Sequence, residues 1–406
     1  MIRHQLPARA PLSFGAVAEG AKALLRSPHD PRHLLLNRLV NRHQVAGGLL
    51  ADSGTSALRL ALEALRRWGH DPVALPAFSC YDVATAVAGA GIRARFYDLD
   101  PRTLAPAEPD LQRALADGAR SVVVAPLFGF PVDWDRVLAC ARDHEAVVVE
   151  DAAQAHGSLW RGAPAGGFGD LVILSFGRGK GWSAGSGGAL LVREAEAARE
   201  VVGESAGAVW TMEPNRAREL WDLTRSGGER ALGRPTLYRI PRCVPGTHLG
   251  ETRYRAPSEP GPMGRAAAAM ALTTEAAARE DIPVRHRNAM HYIRLLAHRE
   301  DGPAFPFPME GGESGYLRFP ILLPPEVRPA SLTRRALSLG AVRSYPRALP
   351  ELPRAEGVRE LEGLMDTDAA GSDAPAAREL ARGLVTLPTH GLTTHEDRCR
   401  LVELLA

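Results

Sequence analysis

The chain has two lysines, Lys22 and Lys180, against 47 arginines. Lys180 lies in Ser175-Phe-Gly-Arg-Gly-Lys-Gly-Trp-Ser-Ala-Gly-Ser-Gly-Gly188, a glycine-rich stretch that follows an apolar run. Guanidinium serves wherever a solvated positive charge is enough, but it stays protonated and cannot attack a carbonyl. A lysine kept in an arginine-rich chain is therefore a candidate for Schiff-base chemistry. Lys22 shows that a lysine can also persist without such a role. Asp151 and Gln154 stand in Glu150-Asp-Ala-Ala-Gln-Ala-His-Gly157, at the end of an apolar run. An acid there could cap a helix, hold a metal, or keep a pyridine nitrogen protonated and so strengthen an electron sink. Gly54, Thr55 and Ser56 open a helix in Ser53-Gly-Thr-Ser-Ala57. Hydroxyls and free N–H groups at the positive end of a helix suit a phosphate, and the same residues also make an ordinary N-cap. Ser175, five residues before Lys180, could add a further phosphate contact. A phosphate cradle, a pyridinium partner and a Schiff-base amine are together the parts a pyridoxal 5'-phosphate (PLP) site requires.

These residues need a frame, and residues 50–195 supply its pattern. Helical spacing over Thr55–Trp68 precedes a short strand, Val73–Pro76. A helix at 82–90, a strand at Ala94–Tyr97 and a helix at 109–117 follow. Next come strand Ser121–Pro126, a helix at 133–144, and strands Ala146–Glu150, Leu171–Phe176 and Gly188–Val192. Apolar strands alternating with amphipathic helices predict an α/β fold, a large, mostly parallel sheet with helices on both faces. Ligands of such sheets bind beyond the carboxyl ends of the strands. Residues 226–262 carry six prolines and many glycines and suggest a long loop, a feature that is usually functional or interfacial. A long helix, Met263–Leu296, is expected to break near Ile282-Pro283. Strand Leu317–Leu323 and helices Ser331–Leu339 and Thr394–Leu405 predict a smaller C-terminal α+β domain. The expected division is an N-terminal extension (1–40), a large domain (41–262) and a linking helix with the small domain (263–406). Asp366–Ala377 is the expected mobile surface segment.

Bulk composition narrows the partners. Basic and acidic residues number 49 and 47, for a formal charge of +2, which offers no dedicated surface for nucleic acid or anionic membrane. No apolar run reaches the roughly 18 residues of a membrane span. Residues 1–26 have no signal-peptide pattern. Cys80, Cys140, Cys243 and Cys399 form no Cys-x-x-Cys pair, which fits a reduced, cytoplasmic chain and points to no metal site.

From about residue 40 onward the sequence resembles the DegT-type aminotransferases, PLP enzymes of fold type I that mostly aminate keto-sugar nucleotides. The resemblance rests on Gly54-Thr-Ser-Ala-Leu58, Leu75-Pro-Ala-Phe-Ser79, Glu150–Gly157, Ser175-Phe-x-x-x-Lys180 and Gly185-Ser-Gly-Gly188. It implies that Lys180 holds the cofactor and shuttles a proton. Asp151 would pair with the pyridine nitrogen, Gln154 would lie against the ring, and Thr55, Ser56 and Ser175 would hold the phosphate. The family's ring-stacking aromatic falls at Cys80 or Tyr81; Tyr81 is preferred because a thiol has no stacking face. His156 is expected to be structural. An amino donor such as glutamate, a keto-sugar nucleotide acceptor and a homodimer are also implied. Dehydratases of the family typically replace the lysine with histidine, so Lys180 implies transamination. Two stretches depart from the family. Gly250-Glu-Thr-Arg-Tyr-Arg255 lacks an asparagine, leaving Arg253 or Arg255 as a phosphate contact or a rim charge. Arg343-Ser-Tyr-Pro-Arg-Ala-Leu349 replaces a histidine-rich segment, which leaves open a non-sugar substrate. A non-catalytic scaffold or regulatory role is the remaining alternative.

Overall fold

The computed structural model describes residues 4–405 apart from 10, 27–28, 202, 204–211, 239–251, 298, 300–301, 325–331, 356 and 366–373. Its main sheet has seven strands: β1 (Gly47–Ala51), β2 (Val73–Pro76), β3 (Ala94–Tyr97), β4 (Ser121–Val124), β5 (Val147–Asp151), β6 (Leu171–Ser175) and β7 (Gly188–Val192). Their order is β1-β7-β6-β5-β4-β2-β3. β2 to β6 pair in parallel, and β7 pairs antiparallel with both β6 and β1. Residues such as Val122, Val123, Val149, Val172 and Leu190 are fully buried, which is why these strands read as unbroken apolar runs.

Helices α1 (Phe14–Arg26), α2 (Pro31–His43), α3 (Gly54–Arg67), α4 (Tyr81–Ala90), α5 (Glu108–Ala116) and α6 (Trp134–Asp143) flank the sheet or precede it. α3 shows why its sequence folds as it does. Leu58, Leu62 and Leu65 line one buried stripe, and Ser53 caps its start by accepting from the Ser56 N–H at 3.0 Å. β1, which the periodicity had not marked, forms the sheet edge beside β7. After the short α7 (Ala195–Glu200), α8 (Arg216–Leu232) runs into the stretch expected to be loop. Its Gly227-Gly228 pair is carried inside the helix, where Leu223 and Ser226 are buried and Ser226 Oγ donates to Asp222 O at 2.7 Å. The remainder of that stretch, from 252 on, runs along α3 and α4. Arg59 donates to Ser258 O at 2.8 Å and Thr85 to Arg255 O at 2.8 Å.

α9 (Arg265–Ala297) continues through Pro283 rather than breaking there. Proline removes one helical hydrogen bond and crowds the preceding turn. Packing on both sides compensates: Ile282 fills the space beside Gly157, and Arg285 donates to His156 O at 3.1 Å. Beyond it, β8 (Phe319–Leu322), β9 (Val342–Arg343) and β10 (Leu384–Leu387) form an antiparallel sheet in the order β8-β10-β9. They are joined by α10 (Arg334–Ser338), α11 (Pro375–Gly383) and α12 (His395–Leu405). The N-terminal residues belong physically with this part of the chain. Gln5 Nε2 donates to Asp397 Oδ2 at 2.7 Å, and the His390 ring lies 2.8 Å from Leu6 O. Most of the expected mobile segment, 366–373, lies outside the described residues, and α11 begins at Pro375. Among the described residues no helix is long and apolar enough to cross a membrane.

Candidate active site

The residues singled out by chemistry gather at the carboxyl ends of β1, β2, β5 and β6. Strand register does the first part. Ser175 pairs with Gly188, and Gly188 with Ala51, so the end of β6 lies beside the turn into α3. The approach is close enough to require glycine twice. A Cβ on Gly54 would come within 2.7 Å of Ser175 Cβ, and one on Gly188 within 2.5 Å of the Ser53 and Gly54 backbone. This cradle joins the N-terminal turn of α3 to the Ser175 hydroxyl, and the first N–H groups of a helix have no partner within it. Thr55 lies in this first turn of α3. Ser56 uses its own elsewhere, donating to Asp52 and lying 2.9 Å from Ser53 Oγ. Asp52 is itself paired with Arg218 at 2.7 Å.

Asp151 closes β5. Its Oδ1 accepts from Ala153 N–H at 3.2 Å, and a short 3-10 turn carries Gln154 onward. Glu150 points the other way, as strand alternation requires, and accepts from the N–H groups of Phe168 at 2.9 Å and Gly169 at 3.2 Å. Burial raises the Asp151 pKa, and the nearby Lys180 charge works against that rise. A desolvated carboxylate of this kind is stabilised by any cation placed against it.

Lys180 sits in a loop held at both ends. Phe176 N–H donates to Gly187 O and Ala184 N–H to Phe176 O, both at 2.8 Å. Trp182 Nε1 donates to Ala271 O at 2.9 Å, and its ring meets Phe176 edge-on at 5.0 Å. Among the described residues the Lys180 amine has no hydrogen bond or ion pair, and its charge is felt at Asp151 and Cys80. His156 packs beside this loop, where a Cβ on Gly181 would lie 2.8 Å from its own. Burial and the Arg285 charge push its pKa down to about 3, so the ring is neutral and a poor proton acceptor.

At the start of α4, Cys80 lies within electrostatic reach of Lys180 and Asp151. Burial, with Asp82 beside it, pushes the Cys80 thiol up to about 12. Tyr81 is buried in the main core. Gln154 reaches further than its position on the large domain suggests. Its Nε2 donates to Tyr345 Oη at 2.7 Å, while its Oε1 accepts from Phe128 N–H at 3.3 Å. Tyr345 stacks on Phe128 at 6.0 Å and 18°, and tilts against Phe78 at 5.3 Å. Tyr345 thus brings the small domain to the site from within the stretch that departs from the family pattern. The departure at Arg343–Leu349 had marked the stretch that carries Tyr345, though not its contact with Gln154. Arg253 and Arg255 are both exposed.

The donor set fits PLP. A helix-start cradle with Thr55 and Ser175 would take the phosphate, the desolvated Asp151 carboxylate the protonated ring nitrogen, and the unpaired Lys180 amine the carbonyl carbon. A separate group, His291, His395 and Cys399, has ligand atoms within 4.8 Å of one another and lies on α9 and α12. Arg398 already donates to His291 Nδ1 at 3.1 Å, which places a cation where a metal would approach.

A model of the DegT/DnrJ/EryC1/StrS aminotransferase family matches residues 37–406. An L-glutamine:2-deoxy-scyllo-inosose aminotransferase of Streptomyces lividus is 35% identical over 157 residues, which is 39% of this chain and 37% of that protein. A UDP-N-acetyl-3-dehydro-alpha-D-glucosamine 3-aminotransferase of Acidithiobacillus ferrooxidans is 36% identical over 160 residues, 39% of this chain and 43% of that protein. The matched stretch therefore spans well under half the length of either relative. Among solved structures, sugar aminotransferase CalS13 of Micromonospora echinospora superposes with a TM-score of 0.71 at 21% identity, covering 100% of this chain and 99% of that one. GDP-4-keto-6-deoxy-D-mannose-3-dehydratase of E. coli, with bound hydrated PLP, superposes with a TM-score of 0.74 at 16% identity and full coverage of both chains. Both superpositions report on the fold.

Proposed function

Since the chain belongs to the DegT/DnrJ/EryC1/StrS aminotransferase family, we propose that it is a PLP-dependent aminotransferase. Its amino donor is an amino acid such as glutamate, and its acceptor a keto sugar or keto-sugar nucleotide. The observation that carries this reading is the convergence of an unpaired Lys180 amine, the Asp151 carboxylate and the Gly54–Ser175 cradle on one sheet edge. When bound, PLP supplies the electron sink. The cradle fixes its phosphate through Thr55, Ser175 and the N–H groups that open α3, with Gly54 and Ser56 shaping the turn. Asp151 holds the ring nitrogen in its cationic form. Gln154, anchored by Tyr345 and the Phe128 backbone, holds the ring edge. Lys180 would retain the cofactor and would carry the proton between the substrate carbon and the cofactor.

The neighbouring dehydratase fold shows that the scaffold alone does not decide between elimination and amino transfer. Lys180 supports transfer. Met212, Leu220 and Trp221 are exposed on or just before α8, with Met212 lining a groove shared with Asp52 and Arg218, and this supports a homodimer that covers them. We divide the chain as 1–40, 41–262 and 263–406, with the first part docked on α9 and the small domain. Free Cys80, Cys140 and Cys399 support a cytoplasmic location.

The test is an absorbance spectrum of protein loaded with PLP, before and after glutamate or glutamine, alongside Lys180→Ala. A visible band that donor bleaches in the wild type and not in the variant is the expected outcome. A band that no amino donor shifts would favour a different PLP reaction, and absence of PLP binding would end the proposal.

A further inference from the structure

Asp52 puts a carboxylate beside a cradle that suits an anion. It ends the passage from β1 to α3, and its backbone is pinned on both sides. Its N–H donates to Gly261 O at 2.8 Å, and its carbonyl accepts from Gly187 N–H at 2.9 Å. Its side chain, only 9% exposed, accepts from Ser56 Oγ and from Arg218 Nη1 at 2.7 Å, and lies 3.4 Å from Ser53 Oγ. An acid at a helix start ordinarily serves as a cap. The cap of α3 is already Ser53, which accepts from Ser56 N–H at 3.0 Å. Asp52 engages the hydroxyls instead. The Ser56 proton goes to Asp52, so Ser53 is left to donate to Ser56 Oγ, 2.9 Å away, or to Asp52. Both serine protons stay within this turn, and the hydroxyl protons left to the cradle are those of Thr55 and Ser175.

A withheld donor and a like charge both oppose phosphate binding. The carboxylate is buried, so its repulsion of an anion at the same helix start is weakly screened. The groove beside it gives no other relief: its charged lining is Asp52, Glu213, Glu219 and Asp222 against Arg218 alone. Arg218 reaches Asp52 from the first turn of α8, where Asn215 accepts from its backbone N–H at 3.1 Å. We propose that Arg218 is a positioning residue for the cofactor phosphate, acting through Asp52. It cancels the carboxylate charge, and the pair together sets how tightly the cradle holds an anion. The guanidinium is 59% exposed, so this compensation depends on ionic strength. The proposal rests on the aminotransferase reading for what carries the phosphate, though not for the opposed charges of the pair.

The probe is inorganic phosphate, titrated by calorimetry into apo-protein at low ionic strength. Arg218→Gln is expected to weaken its binding by about 3- to 20-fold, and Asp52→Asn to leave it equal or tighter. The double variant, which lacks both charges, is expected to return to within about twofold of wild type. In sodium chloride at about 1 M, where the Debye length is about 3 Å, the gap between Arg218→Gln and wild type should close. Absorbance titrations with PLP and with pyridoxal, which lacks the phosphate, form the second arm. Arg218→Gln should weaken PLP binding and leave pyridoxal binding unchanged. A pair that only supports the fold predicts that both single variants lose phosphate and pyridoxal alike, and that result overturns the proposal. So does phosphate binding unchanged in Arg218→Gln. A double variant as weak as Arg218→Gln also overturns it, because Arg218 would then meet the phosphate itself. If wild-type protein binds phosphate but not PLP, the aminotransferase reading fails, and the phosphate series still decides on the pair. If it binds neither, the cradle is not an anion site and the proposal falls with it.

Discussion

The large-domain wall of the pocket is built by local rules, and the small-domain wall is not. On the first wall, Asp151, Ser175 and the start of α3 each follow directly from the end of a strand, and sheet register sets their spacing. On the second, Tyr345 follows β9 and reaches Gln154 from 191 residues further along the chain. The first wall holds groups that any PLP chemistry requires. The second holds groups that choose what is placed against them. The proposed function would place reaction type and substrate choice in different parts of the chain.

The sharpest way to break that division is at Lys180. Lys180→Ala is expected to lower the rate of donor-driven bleaching by about 10⁴-fold, since both covalent attachment and proton transfer are lost. PLP affinity is expected to fall less, because the cradle and Asp151 remain. Stopped-flow spectra with glutamate measure this, and a loss below tenfold would remove Lys180 from the chemistry. Asp151→Asn comes next. It leaves the cofactor cation facing a neutral amide, at a cost of about 3–5 kcal/mol if the pair is fully desolvated, or roughly 10²- to 5 × 10³-fold in rate. A variant keeping a tenth or more of the wild-type rate would show that ring protonation does not depend on this carboxylate.

The same division explains what could be read from sequence. Val147–Asp151 and Leu171–Ser175 announce themselves as strands, and the polar residues at their ends are conspicuous because buried strands rarely end that way. Reading failed where tertiary contact overrides local preference. Proline 283 looked like a break, yet Ile282 and Arg285 are anchored on the loop at His156 and Gly157. Gly227-Gly228 looked like loop and lies in α8. At the start of α4 Tyr81 is buried in the main core, and Cys80 feels the charges of Lys180 and Asp151.

Acid tests whether the two walls fail together. His156 stands behind the first wall with its pKa pushed down to about 3, and His390 behind the second with its pKa pushed down to about 4; burial is the main cause in both. An unfolded histidine takes up a proton near 6.5, while these two stay neutral until far lower pH. Their stabilising effect is therefore complete above about pH 6.5 and is lost progressively as pH falls toward 3–4. At pH 5 each accounts for about 2 kcal/mol of lost stability. Replacing either with glutamine should flatten the fall in melting temperature between pH 7 and 5. If only one variant does so, acid opens the pocket from that wall first; if neither does, the buried rings are not what makes the fold acid-sensitive.

The smallest effect is the most discriminating. Tyr345→Phe keeps the ring that packs on Phe128 and Phe78 and deletes only the hydroxyl that accepts from Gln154 Nε2 at 2.7 Å. One hydrogen bond of this kind contributes about 0.5–1.5 kcal/mol, so kcat/KM should fall by about 2- to 12-fold. Gln154 keeps its other bond to Phe128 N–H and stays near its place, so the visible band of the PLP-loaded protein should shift little. A wall that positions substrate predicts that the loss appears mainly in KM, and that it is similar for glutamate and glutamine. A loss of 10²-fold or more in kcat, at unchanged KM, would mean that Tyr345 handles a proton in the reaction. The small-domain wall would then share in the chemistry, and the division between the two walls would have to be redrawn through Gln154.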